Sequence, residues 1–411
     1  MTLLFRCALL IGAAAIAAAR LPADDWPQML GPTRNGIYTG APLAETWPSS
    51  GPPIVWKRDV GQGFSGPVVA GGRVILFHRV GAREVVEALD PSTGATSWKY
   101  DYPTSYRDDF GFDEGPRAVP VLADGVVYTF GAEGMLSAID LEKGTRIWSQ
   151  DTRRRFEVPK NFFGAGGSPL VDDGRVIANI GGMSAGIVAF DAKTGKMLWT
   201  ATSDEASYSS GSIAMIGGRR VAVFLTRNGL VGLDPVTGRI QFQRTWRSRS
   251  ASSVNAATPL VVGDSIFVSA QYGPGAGVLR VADSKLADVW TSDDALSTHY
   301  ATAVYRAGVL YGYHGRQETG PSLRAIDFAT GRVRWDVDQF RAGSVTLAGD
   351  RLVIVRESGE LMIAPAAPDA FKVLARAQIL PATVRALPAI AGGFLYMRNE
   401  QTLACVDLRR R

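Results

Sequence analysis

A chain of 411 residues that is 46% hydrophobic and only 20% charged carries enough apolar material for a large core, which excludes a disordered protein. Its formal charge of +5 is slight for this length, and the only basic runs are Arg153-Arg154-Arg155 and Arg409-Arg410-Arg411, so no nucleic-acid-binding face is expected. The 46 glycines are what many tight turns between short strands require.

The first element reads as a targeting segment. Arg6 precedes the apolar run Cys7-Ala8-Leu9-Leu10-Ile11-Gly12, alanines continue to Ala19, and small residues offer cleavage near Ala19 or Ala23. Residues 1–23 are therefore expected to act as a signal peptide, giving a periplasmic or secreted protein. No other segment approaches the ~20 apolar residues of a membrane span. Residues 24–52 follow as an N-terminal extension packing on the main fold, which occupies 53–411. With Cys7 removed, Cys405 is left without a disulfide partner, and its place in Leu403-Ala404-Cys405-Val406 suits a small core residue.

Next comes an orphan strand, Ile54-Val55-Trp56-Lys57-Arg58-Asp59, and then a repeat. Ala88-Leu89-Asp90 leads through Thr93-Gly94 to Trp98, and the pattern returns at Asp140 to Trp148, Asp191 to Trp199, Asp234 to Phe242 and Asp327 to Trp335. A degenerate copy runs from Asp283 to Trp290. The Asp positions lie 50, 51, 43, 49 and 44 residues apart, and the 80 residues from Asp327 to Asp407 hold two further units. In the first of these Phe371 stands for the Trp. Each copy is preceded by two apolar strands around a Gly or Asp-Gly turn, as in Pro67-Val68-Val69-Ala70-Gly71-Gly72-Arg73-Val74, so each unit is about four short antiparallel strands.

A four-stranded sheet cannot bury two apolar faces alone, so units must stack. The Asp is placed to accept backbone N–H bonds in the third turn, the Gly to supply a left-handed residue, and the Trp to pack on the adjoining unit. Closure is also suggested. The last unit ends near Asp407 with no Trp, and Trp56 can supply its fourth strand. The expected fold is an all-β closed propeller of eight four-stranded blades, with seven as the alternative because the last two units are degenerate.

These residues resemble the pyrroloquinoline-quinone-like repeat, whose tryptophan docking motif runs Ala-x-Asp-x-x-Thr-Gly-x-x-x-Trp; the repeat covers roughly residues 53 to 408. Trp26-Pro27-Gln28-Met29-Leu30-Gly31-Pro32-Thr33-Arg34-Asn35-Gly36 is similar to the N-terminal signature of secreted bacterial propellers of this family. The resemblance implies the propeller but not one activity, because members include quinone-dependent dehydrogenases and an outer-membrane assembly propeller. The dehydrogenases carry an adjacent Cys pair and hold Ca²⁺ with Glu, Asn and Asp. Cys405 has no neighbouring Cys, and no such ligand set can be traced. The expectation is a monomeric scaffold binding a protein partner or a small anionic or polar ligand, without a cofactor; a quinone- and Ca²⁺-dependent oxidoreductase is the alternative.

In a propeller the residues just before each innermost strand line an axial funnel. They are Phe64 and Ser65, Arg117, Asn161 to Gly167, Tyr208 to Ser210, Asn255, His299 and Tyr300, Arg341 and Arg385. Three arginines and a histidine with no carboxylate at equivalent positions suit an anionic group. The competing reading is that these arginines pair with backbone carbonyls and loop acids. Two crossings are long, 22 residues from Trp98 to Pro120 and 21 from Trp148 to Pro169. Opposite in charge, they either pair with each other or form an aromatic wall through Phe110, Phe112, Phe162 and Phe163. Asp108, Asp109, Asp113 and Glu114 depart from the spacing of an EF-hand Ca²⁺ loop. Of the histidines, His78 is expected to be structural, His314 to lie in a surface turn, and His299 to face the funnel.

Overall fold

The computed structural model describes residues 24–160, 163–247, 250 and 255–410. The expected signal peptide and Asn161 and Phe162 lie outside them. Eight antiparallel sheets form an eight-bladed β-propeller, and the seven-bladed alternative is excluded. Seven blades are continuous in sequence, at residues 68–103, 121–151, 170–201, 212–245, 260–292, 304–337 and 343–378. The eighth joins the three last strands, 389–391, 394–398 and 402–407, to the strand Ile54–Asp59. Trp56 pairs with Cys405 and Lys57 with Ala404, so the start of the propeller supplies the outer strand of its last blade.

The repeat explains how blades lock together. In each regular copy the motif Asp accepts the two following turn N–H groups: Asp140 Oδ1 takes those of Glu142 at 3.0 Å and Lys143 at 2.8 Å. The outer-strand Trp then reaches the turn of the next blade and donates its indole N–H to the carbonyl after that Asp. Trp56 bonds Pro91, Trp98 bonds Leu141, Trp148 bonds Ala192, Trp199 bonds Pro235 and Trp290 bonds Phe328, all at 2.8–3.3 Å. A one-residue bulge precedes Trp56, Trp98, Trp148, Trp199, Trp290 and Trp335, turning each indole toward its neighbour and breaking the outer edge for pairing.

The indole lies flat on the turn glycine. A Cβ on Gly144 would sit 2.5 Å from the Trp98 ring, at a φ of +67°. Gly144→Ala is therefore expected to destabilise by about 2–4 kcal/mol, from overpacking and left-handed strain together. Urea unfolding against Gly72→Ala, where nothing lies within 4 Å, separates the packing cost from the shared backbone strain.

At the joint between blades four and five the motif degenerates on both sides. Blade five replaces the Asp-Thr-Gly turn with a two-residue turn at Asp283 and Ser284, both at positive φ, so Asp283 does not take the turn-acceptor role. Blade four correspondingly has Phe242 in place of Trp, and Trp246 instead bonds Gly275 O at 3.3 Å. Phe371 does not stand on an outer strand in place of the Trp. It precedes the outer strand Ala375–Gln378 and packs on Trp335 of the previous blade, 5.5 Å between ring centroids, because that strand is short.

Residues 26–38 do more than cover a face. Trp26 exchanges backbone bonds with Val69 of blade one, Pro27 O accepts Leu122 N of blade two, and Ile37–Tyr38 pairs in parallel with Leu347 and Ala348 of blade seven. Each partner belongs to an innermost strand, so this segment crosses the axis. Arg34 fixes it on the remaining side. Buried at 3% exposure, it donates to Gly211 O at 2.8 Å, to Pro169 O, and to Gln28 Oε1 at 2.7 Å. Burial lowers its pKa to about 9, which keeps it cationic at neutral pH.

Candidate functional site: an aromatic bowl on the axis

With the axis crossed by residues 26–38, the funnel becomes a blind bowl of about 410 Å³ with Met29 on its floor. Crossings between blades bring Phe64, Arg117, Tyr208, His299 and Arg385 to its wall; hairpins between second and third strands add Tyr272 and Glu318.

Of the residues expected to line the funnel, Phe64, Arg117, Phe163, Gly166, Tyr208, His299, Tyr300 and Arg385 share the bowl. Asn255 lies behind the wall, fully buried, its side-chain amide donating to Thr226 O at 2.7 Å and Trp246 O at 2.9 Å while its backbone carbonyl accepts Tyr208 N and Ser209 N. It holds the crossing in place, and its neighbour Ala256 meets the cavity instead. Arg341 is exposed and outside it. Between the strands Val333–Val337 and Gly343–Ala348 the link is too short to lean over the axis. Asn161 lies outside the described residues.

Carboxylates are present after all, brought by hairpins and the long loop rather than by the equivalent crossing positions. Glu357 accepts Arg385 Nε at 2.8 Å and the Tyr300 hydroxyl at 2.6 Å. Burial, then the Glu357 charge, raises the Tyr300 phenol well above its ordinary range. Arg117 lies 3.5 Å from Asp108 and donates to Asp113 O at 3.1 Å. The arginines thus do pair with loop acids and a carbonyl. They also stack: Arg117 and Arg385 each lie 5.5 Å from the Phe64 ring centre, Arg117 5.4 Å from Phe163 and Arg385 5.4 Å from Phe112.

The two long loops pair and form a wall at once. Lys160 meets Asp109, while Phe163 contacts Phe110 at 5.2 Å and Phe112 at 6.1 Å between centroids. Phe110 and Phe112 nonetheless stay about half exposed, at 54% and 48%, facing the mouth. On the opposite wall His299 Nε2 lies 3.3 Å from the Tyr272 hydroxyl, and Nδ1 is buried without a partner among the described residues. Burial lowers the His299 pKa, so the ring is neutral at neutral pH.

The other histidines serve the frame. His78 accepts Gly61 N at 2.8 Å and lies 3.3 Å from Glu87. His314 is not in a surface turn but ends the strand Val309–His314, where Nδ1 accepts Ser297 N at 3.1 Å.

A Ca²⁺–quinone pair does not fit these residues. The described residues contain no group of three His, Cys, Asp or Glu placed to hold a metal ion. Asp108 and Asp113 spend their oxygens on backbone N–H groups, and Asp109 and Glu114 on Lys160, Arg107 and Arg79. Cys405 is a free thiol buried in the last blade.

Repeat, ring closure and docking indoles agree with a match of the family model described as outer membrane protein assembly factor BamB over residues 82–337 and again over 245–410. The chain belongs to the PQQ-like β-propeller repeat family. BamB of Burkholderia pseudomallei is 26% identical over 374 residues, covering 80% of this chain and 91% of that protein. Quinohemoprotein alcohol dehydrogenase ADH-IIG of Pseudomonas putida is 37% identical, but over 35% of this chain and 20% of its own length. The chain thus spans only a fifth of that dehydrogenase. Among solved structures, BamB from Moraxella catarrhalis superposes with a TM-score of 0.63 at 16% identity, covering 87% of this chain and 98% of that one. A europium-containing methanol dehydrogenase gives 0.71 at 12% identity, covering 92% and 89%. Both show the same fold.

Proposed function

We propose that this protein is a monomeric binding propeller of the bacterial envelope, exported by residues 1–23, whose axial bowl recognises a polar ligand or a polar group of a partner protein. The carrying observation is the bowl itself: a floor closed by the chain's own N-terminal segment, a half-exposed aromatic wall, and two arginines stacked into it. Such a site is preorganised to bind, and among the described residues no group of three His, Cys, Asp or Glu is placed to hold a metal ion. The likeness to BamB over most of the chain supports a scaffold role. No described helix is long and apolar enough to cross a membrane.

Thermal unfolding with a panel of small organic acids tests the reading. A ligand that occupies the bowl raises Tm by binding only the folded state, and Phe112→Ala with Arg117→Ala abolishes the rise. Dye reduction dependent on added quinone and Ca²⁺ overturns it.

A further inference from the structure

Arg385 is half used. Its Nε is bonded to Glu357 at 2.8 Å, but neither terminal amino group has an acceptor among the described residues, and the residue lines the bowl. Arg117 differs, because its Nη2 is spent on Asp113 O and faces Asp108. The bowl therefore offers one open guanidinium fork, a geometry that matches one carboxylate through two parallel N–H bonds.

The fork lies over the Phe112 ring, and Phe112 adjoins Phe163, which meets Tyr208 edge-on at 5.5 Å between centroids. A flat ring laid against Phe112 and Phe163 brings its own acid group within reach of Arg385, and offset or edge-to-face contact favours an aromatic ring over an aliphatic one. Across the cavity His299 Nδ1 is a buried polar atom still lacking a partner. The groups facing His299 are Glu318, Arg316, Arg385 and Glu357, with Tyr272 and Tyr300 beside it. On that side Arg316 lies 3.8 Å from Glu318, so the far wall offers no unopposed cation for a second anion.

Resting on the binding reading above, we propose that the bowl takes an aromatic monocarboxylate, its single acid group on the Arg385 fork, its ring on Phe112 and Phe163, and a polar edge toward His299. One fork and one aromatic wall select against polyanionic ligands, whose further acid groups would meet arginines already facing acids, Arg117 beside Asp108 and Arg316 beside Glu318.

The probe is 2-naphthoate, followed by its fluorescence, with 2-naphthamide as the uncharged analogue. Saturable binding of 2-naphthoate is expected, with the amide weaker by about tenfold or more. Arg385→Met should bring the acid down to the affinity of the amide and leave the amide unchanged; Phe112→Ala should weaken both. Arg341→Ala, outside the bowl, should alter neither. Circular dichroism of each variant confirms the fold. Equal binding of acid and amide to the wild type, with both lost in Phe112→Ala, would overturn the carboxylate assignment while leaving the bowl as a binding site. Absence of naphthoate binding overturns the ligand class. If no acid in the panel raises Tm either, the binding reading falls with it.

Discussion

Trp56→Ala is expected to cost about 3–5 kcal/mol, the range for removing a buried aromatic side chain. Trp56 belongs to the strand Ile54–Asp59, is 9% exposed, bonds Pro91 O at 2.9 Å and lies flat on Gly94 of blade one. Its loss weakens the hold on the closing strand, which is joined to the rest of its own blade by β-pairing alone. The measurement is a urea transition combined with limited proteolysis. Cleavage should begin near residues 48–60 and 400–410 in Trp56→Ala, but not in Trp335→Ala, where the outer strand is covalently continuous with its own blade. Identical cleavage patterns would show that closure is not held by Trp56.

Acidification should open the same joint. Glu87 in blade one is wholly buried and bonds Arg58 of the closing strand at 2.9 Å, with Lys99 at 3.2 Å, His78 at 3.3 Å, and Thr96. Burial works against its charge, but the hydrogen bonds from His78 and Thr96 and the charge of Arg58 outweigh it, lowering its pKa from 4.5 to about 2. The folded state thus binds this proton less readily than the unfolded one. The contribution is complete above about pH 4.5 and fades as pH falls toward 2, amounting to about 3 kcal/mol. Burial also lowers the His78 pKa, so the unfolded imidazole takes its proton first and steepens the loss in the same direction. Urea midpoints measured from pH 7 to pH 2.5 should drop in the wild type. Glu87→Gln should be less stable at pH 7 and show a shallower slope; an unchanged slope would place the acid sensitivity elsewhere.

Blade number and closure were legible because the turn motif is fixed by local chemistry. An Asp that caps two N–H groups, a left-handed Gly and an indole laid upon it each tolerate few substitutes, so Asp140-x-x-x-Gly144-x-x-x-Trp148 announces itself. The Trp56 strand was legible as an indole without a unit. The bowl was only half legible. Reading one crossing per blade found Arg117, His299, Tyr300 and Arg385, because a residue before an innermost strand must sit near the axis. The same rule misplaced Arg341, since it takes no account of how little slack the 338–342 link has, and Asn255, whose amide is drawn to carbonyls behind the wall. Glu357, Glu318 and Tyr272 were missed because hairpins of blades five to seven also lean inward, and their reach depends on three-dimensional tilt. The axial path of residues 26–38 has no periodicity at all. The Trp26 to Gly36 stretch is similar to a family signature and packing on the fold was expected, but not its course, because a lone arginine such as Arg34 reads as a surface residue until its three acceptors are seen.

That path constrains how the molecule can be made. Trp26, Arg34 and Tyr38 are synthesised before every blade they touch, yet they end at the hub of the wheel, held by blades one, two, three, four and seven. The native contacts of this segment are complete only when blades far down the chain have folded, so the first described residues are among the last to gain all their partners.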